Sequence, residues 1–267
     1  VSFEYLDDLN ASENLTLANQ YVPCVTRLLF NNNGGTLLDD ANVRKALIKL
    51  LDRSQIASYS FGQYSEAYAY IIEGMSDYEP AVEEYCKTNY GFDPEGGLAL
   101  MAEAGWTDSD GDGYLDKNGE KLTINLWTPD YCKSVAEIVQ ILYKEQGVDV
   151  VISEYEESVI LDAYADNSYE AALNNFWWGD SASTLPYIVD DEDAIDYDTY
   201  YSNAFAYAAI ADDTERTAKF AELQHVLMDG LYNYPIAKTS TVIAYNKEKL
   251  SGIVLGAEGY LLINDVG

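Results

Sequence analysis

Trp177, Trp178, Gly179 and Asp180 are the residues of this sequence best suited to holding a ligand. They close the run YEAALNNFWWGDSASTLP, from Tyr169 to Pro186. Adjacent tryptophans in a strand face opposite ways, so one ring can pack in a core while the other faces a cleft. Gly179 lets a ligand approach the backbone closely. Asp180, at a strand end, can take a cation or an α-ammonium group through a charge-assisted hydrogen bond. Material for catalysis is thinner. His225 is the only histidine, and it is predicted on the solvent side of a helix whose core face is Phe220, Leu223 and Leu227. No Ser-His or Cys-His arrangement with a positioned partner follows from that. Cys24, Cys86 and Cys132 lack metal-ligand spacing, and an odd count leaves at least one unpaired. Acids are numerous enough to contain a glycosidase-like pair, but no pattern selects one. No glycine loop suited to phosphate appears. The expectation is a binding protein without catalytic residues or cofactor.

Asp108, Asp110, Asp112 and Gly113 match the first half of a Ca²⁺ loop, with Asp116 at its ninth position. The twelfth position, where a bidentate Glu belongs, is Gly119, and Glu120 comes one place late. The stretch therefore predicts an acidic turn feeding a hairpin rather than a metal site. A Ca²⁺-dependent adhesion module is the function class that would need the four acids as ligands.

Composition narrows the partners. The 267 residues carry a formal net charge of −31. Nucleic acid and anionic membrane surfaces repel such a chain; the plain reading of the charge is a solvated exterior, and the sharper one is attraction for cationic or amino-bearing ligands. With 24 Tyr against 7 Phe, the aromatic surface is of the half-wet kind, apolar in the ring and polar at the tip. No run reaches transmembrane length and no signal peptide is present. The sequence begins at Val1 without a Met, which fits a part excised from something longer.

The elements that must position the tryptophans follow from hydrophobic period. Val25 to Phe30 reads as a strand ending in an Asn-Asn-Asn-Gly-Gly turn. Asp39 and Asp40 cap a helix running to about Tyr59, with Val43, Ala46, Leu47, Leu50 and Leu51 inward and Arg44, Lys45, Lys49, Asp52 and Arg53 largely on the other face. Residues 61 to 92 read as loop with one short helix near Ala81 to Lys87. Asp93-Pro94-Glu95 starts a helix with Leu98, Met101 and Ala102 inward and Gly105 as its stop. Asn118-Gly119 marks a hairpin turn. Then come a strand around Leu122 to Leu126, a helix with a Val135, Ile138, Val139, Leu142 stripe, a strand over Val148 to Ile152, a helix from Ser158 to Ala165, and a strand from Tyr169 to Trp177. That alternation predicts parallel pairing with the last strand central. Asp190 to Asp198 reads as an acidic surface loop and Thr199 to Ile210 as a helix. A second helix is capped by Asp212 or Asp213 and ends at Gly230. Tyr234 to Ala237 and Val242 to Tyr245 read as strands.

Several segments, in this order, resemble the family 5 extracellular solute-binding proteins, the oligopeptide, dipeptide and nickel receptors of ABC importers. They are LLFNNNGGTLLDDANVRKALIKLLDRSQI, DPEGGLALMAEAGW, DSDGDGYLDKNGEKLTINLW, ALNNFWWGD and the tail from DDTERTAKF to NKEKLSGI. The resemblance covers nearly the whole chain. It implies an α/β fold of the periplasmic-binding-protein type (type II, cluster C), with a mixed sheet flanked by helices. Family members are two-lobed clamshells, and this sequence resembles the C-terminal lobe alone. Residues 1–36 would then lead in from an N-terminal lobe, residues 37–251 form the solute-binding lobe, and residues 252–267 return toward the other lobe. In the peptide-binding branch an Asp after the Trp-containing strand holds the ligand's α-ammonium group, and Asp180 occupies that place. Trp177, Trp178 and Gly179 would line the cleft beside it. The resemblance implies solute capture, most specifically of oligopeptides, with an oligosaccharide, nickel or another solute as alternatives. It implies the N-terminal lobe and ABC permease subunits as partners, no nucleic acid, and an extracellular place, lipid-anchored or periplasmic. The family continues this segment with Tyr-Pro-Asp, and here Ser181-Ala182-Ser183 stands instead. From a different class, a carboxylate-based hydrolase would need two acids facing one cleft.

Overall fold

The computed structural model describes residues 5–60, 63–177, 185–189, 195–256 and 261–262. Its helices are α1 (Leu6–Asn10), α2 (Ala41–Leu50), α3 (Ser54–Tyr59), α4 (Pro80–Tyr90), α5 (Pro94–Glu103), α6 (Lys133–Glu145), α7 (Glu157–Asp166), α8 (Tyr197–Ala208) and α9 (Asp213–Asp229). Its strands are β1 (Leu15–Phe30), β2 (Tyr64–Glu66), β3 (Asp116–Lys117), β4 (Glu120–Lys121), β5 (Thr123–Thr128), β6 (Asp149–Glu154), β7 (Ala171–Trp177), β8 (Asn233–Asn246), β9 (Val254–Leu255) and β10 (Leu261–Leu262).

The period changes between residues 122 and 177 set the half of the sheet that matters here. β5 buries alternate residues, Ile124, Leu126 and Thr128. α6 then turns Val135, Ile138, Val139 and Leu142 inward, and Gly147, at φ 79°, ends the excursion. β6 and β7 each pair parallel with β5. Ala171 to Asn174 are buried in succession, as in a strand covered on both faces. One face packs into the main core, while α7 and Trp127 cover a smaller cluster of Leu29, Ile160, Ala163, Tyr164, Tyr169 and Ala172 on the other. The order β2-β8-β1-β7-β5-β6 makes β7 an interior strand, as its sequence predicts. Because β5, β6 and β7 run the same way, their C-terminal ends share one edge.

β1 and β8 extend well beyond the segments that hydrophobicity marks. They pair antiparallel from Leu15↔Asn246 to Leu29↔Asn233. The two short strands expected at 234–237 and 242–245 are therefore one, because ladder hydrogen bonds to both neighbours carry β8 through its polar middle. Pro23, which has no N–H to donate, falls inside the register break between Tyr21 and Val25.

The single helix expected over residues 40–59 is broken. Asp40 caps α2 through the Asn42 N–H, but Asp52 takes the N–H and hydroxyl of Ser54 and starts α3 afresh. Arg44 and Arg53 do not face solvent. Arg44 donates to the carbonyls of Leu38, Asp39 and Leu231, so its charge serves backbone ends that helical period alone cannot reveal. Arg53 lies over the rings of Tyr68 and Tyr234 at 4.7 and 5.7 Å. Among the described residues its one hydrogen bond to oxygen, to Ala67, is long at 3.4 Å, and its buried Nε has no partner. Arg53→Met is expected to keep the packing and to change stability by less than about 1 kcal/mol in either direction, since weakly compensated buried charge is replaceable by apolar volume. Urea unfolding would measure this, and a loss of several kcal/mol would refute it.

Three smaller expectations also change. In α5, Asp93 caps the Gly96 N–H, but Gly97 and Met101 are the buried positions while Leu98 and Ala102 are exposed. A Cβ on Gly97 would meet Leu50 at 2.8 Å, so the close approach of α5 to α2 fixes which face turns in. Residues 64–72, expected as loop, form β2 and a buried connection. Gly230 follows α9 in right-handed conformation, and it is Leu231 that takes the positive φ of 56°.

Candidate functional site

β7 delivers Trp177 to the shared strand edge, opposite Cys24 of β1. Its side chain is 59% exposed, a large apolar ring left open at the C-terminal end of an interior strand. Trp178, Gly179 and Asp180 lie outside the described residues. Past them, Leu185 and Ile188 return to the core fully buried. The Ile188 carbonyl accepts from Arg27 Nη1 at 2.9 Å and from Asn233 Nδ2 at 3.0 Å. The Leu185 carbonyl accepts from Tyr200 Oη at 2.8 Å.

The same edge holds a groove that the sequence reading did not pick out. Pro129, Asp130 and Tyr131, just past β5, form one wall, and Glu154, Tyr155, Glu156, Glu157 and Val159, at the end of β6 and start of α7, form the other. Its volume is about 580 Å³. Tyr131 Oη donates to Glu157 Oε1 at 2.8 Å across the groove. Lys133 Nζ donates to Glu154 Oε2 at 2.8 Å beside it. Burial and the Glu157 carboxylate hold the Tyr131 phenol well above its ordinary range, so it remains a hydrogen-bond donor at physiological pH. Tyr155 leans on Trp127, with centroids 4.3 Å apart. Acids with half-wet aromatic rings beside them suit an ammonium or guanidinium group, by ion pairing and by cation–π attraction. The signal was available: an acid and a tyrosine follow each of two parallel strands, the placement by which α/β sheets build sites. In a chain with 46 Asp and Glu, that signal is hard to separate from ordinary surface acid.

The acidic turn is a hairpin, as expected. Asn118 and Gly119, at φ 56° and 81°, close β3 on β4 in the left-handed conformation that two-residue hairpins favour. Oxygens of Asp108, Asp110 and Asp116 lie within 4.8 Å of one another, and Asp112 is not in that group. Asp108 accepts the N–H groups of Gly111 and Gly113, and Asp116 accepts from the N–H and hydroxyl of Ser109. Chain donors already hold this turn in shape. Adding EDTA is therefore expected to move the melting temperature by less than about 1 °C; a clear fall in a thermal scan would restore the Ca²⁺ reading.

The remaining candidates for chemistry are structural. His225 is half-buried rather than on open solvent, with its ring 4.1 Å from that of Tyr85 where α9 meets α4. The three cysteines are free and buried. Burial pushes the Cys24 thiol up to about 12 and raises Cys132 and Cys86 as well, so none is a thiolate nucleophile at neutral pH.

The profile of the family described as bacterial extracellular solute-binding proteins, family 5 Middle, matches residues 2–192. The oligopeptide-binding protein AppA of Bacillus subtilis (strain 168) is 31% identical over 159 residues, which is 58% of this chain and 28% of AppA. The nickel-binding periplasmic protein of Escherichia coli (strain K12) is 27% identical over 170 residues, 59% of this chain and 32% of that protein. Among solved structures, NikA from Brucella suis in complex with Fe(III)-EDTA superposes with a TM-score of 0.80 at 22% identity, over 97% of this chain and 53% of that one. AppA from Bacillus subtilis in complex with a nonapeptide gives 0.70 at 20% identity, over 97% and 53%. The fold is the expected mixed α/β sheet with flanking helices. The chain spans about half the length of these solved structures, and its matches take in about a third of the curated relatives. Among the described residues no helix is long and apolar enough to cross a membrane.

Proposed function

Since the chain belongs to the bacterial extracellular solute-binding proteins of family 5, binding proteins that deliver small solutes such as peptides to ABC permeases, we propose that it forms one lobe of a two-lobed receptor for amino-bearing solutes, most specifically oligopeptides. The observation that carries this reading is the strand edge itself. An open tryptophan ends β7, and a groove of Asp130, Glu154, Glu156 and Glu157 with Tyr131 and Tyr155 ends β5 and β6. In this reading Asp180 holds the ligand's α-ammonium group, Trp177, Trp178 and Gly179 line the cleft, and the groove takes a basic side chain. A second lobe closes over that edge by hinge motion, from chain beyond the ends of β1 and β8, where Leu15 and Asn246 lie side by side. In this reading residues 37–251 form the solute-binding lobe and residues 1–36 and 252–267 lead toward the other lobe, while β1, within the first of these flanks, pairs with β7 and β8 in the sheet. Anchoring by a lipid outside the cell belongs to the same proposal.

The nickel relative supports a second reading, a metal or its chelate. An anionic chelate such as Fe(III)-EDTA is disfavoured by so acidic an edge, and His225 stands away from it on α9. Calorimetry on the full-length protein separates the two. Trilysine is expected to bind at least about tenfold more tightly than triglutamate, a difference of about 1.4 kcal/mol, and Ni²⁺ with free histidine to give no saturable heat. Equal affinities, or tight binding of the nickel complex alone, would overturn the proposal. The 267-residue chain by itself, with half the contacts, is expected to bind trilysine weakly or not at all.

A further inference from the structure

The two parts of the strand edge meet on one side chain. Asn175 lies two residues before Trp177 on β7, so both side chains project from the same face. Its Oδ1 accepts from Thr26 Oγ1 at 2.7 Å, across the register in which Thr26 faces Asn175. The same oxygen accepts from Cys132 Sγ at 3.4 Å; an amide oxygen has lone pairs for two such donors. Cys132 is wholly buried and closes the turn Asp130–Cys132, whose first two residues line the groove. It stands at the N-cap of α6 yet makes no side-chain cap bond there, its thiol being turned to Asn175. Tyr131 and Lys133 tie the turn to the opposite wall, through Glu157 and Glu154. Among the described residues, Asn175 supplies the side-chain hydrogen bond that joins the turn to β7.

We propose that Asn175 is a positioning residue, which fixes the Asp130–Tyr131 wall of the groove at a set distance from Trp177 so that both face one ligand. The functional meaning rests on the reading that the groove and Trp177 form one wall, but the coupling itself can be tested without any ligand. Asn175→Leu keeps the branched shape and heavy-atom count, though not the volume, and removes the acceptor, leaving the thiol unheld. Asn175→Asp keeps the acceptor.

The experiment is iodoacetamide labelling of the native chain, resolved by cysteine with peptide mass spectrometry. In Asn175→Leu, labelling of Cys132 is expected to rise about fivefold, the factor one lost hydrogen bond makes in a local opening equilibrium. Cys24 and Cys86 should stay as slow as in the parent, and Asn175→Asp should protect Cys132 as the parent does. If Leu does not fold, Asn175→Ala gives the same reading. All three cysteines rising together would show Asn175 to be only core filling, and an unchanged Cys132 would show that it holds nothing; either result overturns the proposal. A failure here leaves the trilysine result standing, and a failure there leaves this one standing.

Discussion

Arg27→Ala is expected to lower the stability of this chain by about 3 kcal/mol, the loss that follows when hydrogen bonds to a buried charged group are removed and their partners stay behind. For a domain of this size that corresponds to a fall in melting temperature of roughly 6–12 °C. Arg27 is 2% exposed on the middle strand of the sheet. Its Nε donates to Asn174 Oδ1 at 2.6 Å and its Nη1 to the Ile188 carbonyl at 2.9 Å, with the Phe176 ring 4.8 Å away. Truncation leaves the Asn174 oxygen dry and opens a void between β7 and residues 185–189. Asn233 still holds the Ile188 carbonyl, which keeps the loss nearer 3 than 5 kcal/mol. Arg27→Lys keeps the charge but loses the fixed fork of donors, so it should recover only part. Amide exchange should rise most at residues 185–189. A thermal scan within 1 °C or so of the parent would show that the guanidinium anchors nothing.

Arg27 and Arg53 also show where sequence reasoning stops. Period told strand from helix between residues 122 and 177 because β5 and α6 each bury one face and β7 buries an unbroken apolar run between turn residues. Caps were legible for the same local reason: Asp93 and Asp212 each take the N–H three residues on. Buried arginines obey no such period. Arg27, Arg44 and Arg53 are inside because carbonyl and amide oxygens and aromatic rings meet them there, several from segments brought close only by the tertiary fold. The long reach of β1 and β8 was hidden likewise, since residues 15–21 pair with 240–246 through backbone groups that any side chain offers. At the site, the strand that ends in Trp177 stood out by its tryptophans. The groove beside it, built of acids and tyrosines, resembles the rest of an acidic, tyrosine-rich surface until the parallel order of β5, β6 and β7 brings its walls together.

The role proposed for Asp180 gives the largest expected effect on binding. In the full-length protein, Asp180→Asn is expected to weaken a peptide with a free N-terminus by about 1.5–3 kcal/mol, the value of a hydrogen bond to a charged group, or roughly 10- to 150-fold in the dissociation constant. The change keeps size and one acceptor oxygen while removing the charge, so the loss measures the ion pair rather than the shape of the cleft. N-acetylation of the peptide removes the same charge from the other side. A double cycle of Asp180→Asn against the acetylated peptide then isolates the pair: each change alone should cost about the same, and the two together little more than either. Additive losses would mean that Asp180 and the α-ammonium group do not meet, whatever each does alone. A parallel cycle of Glu157→Gln against replacement of a ligand lysine by norleucine, which keeps the four-carbon stem but removes the ammonium, asks the same of the groove. Coupling in the first cycle and not in the second would place the peptide's N-terminus beside Trp177 and leave its side chains elsewhere. Coupling in both would set the ligand along the edge, from the end of β7 to the ends of β5 and β6.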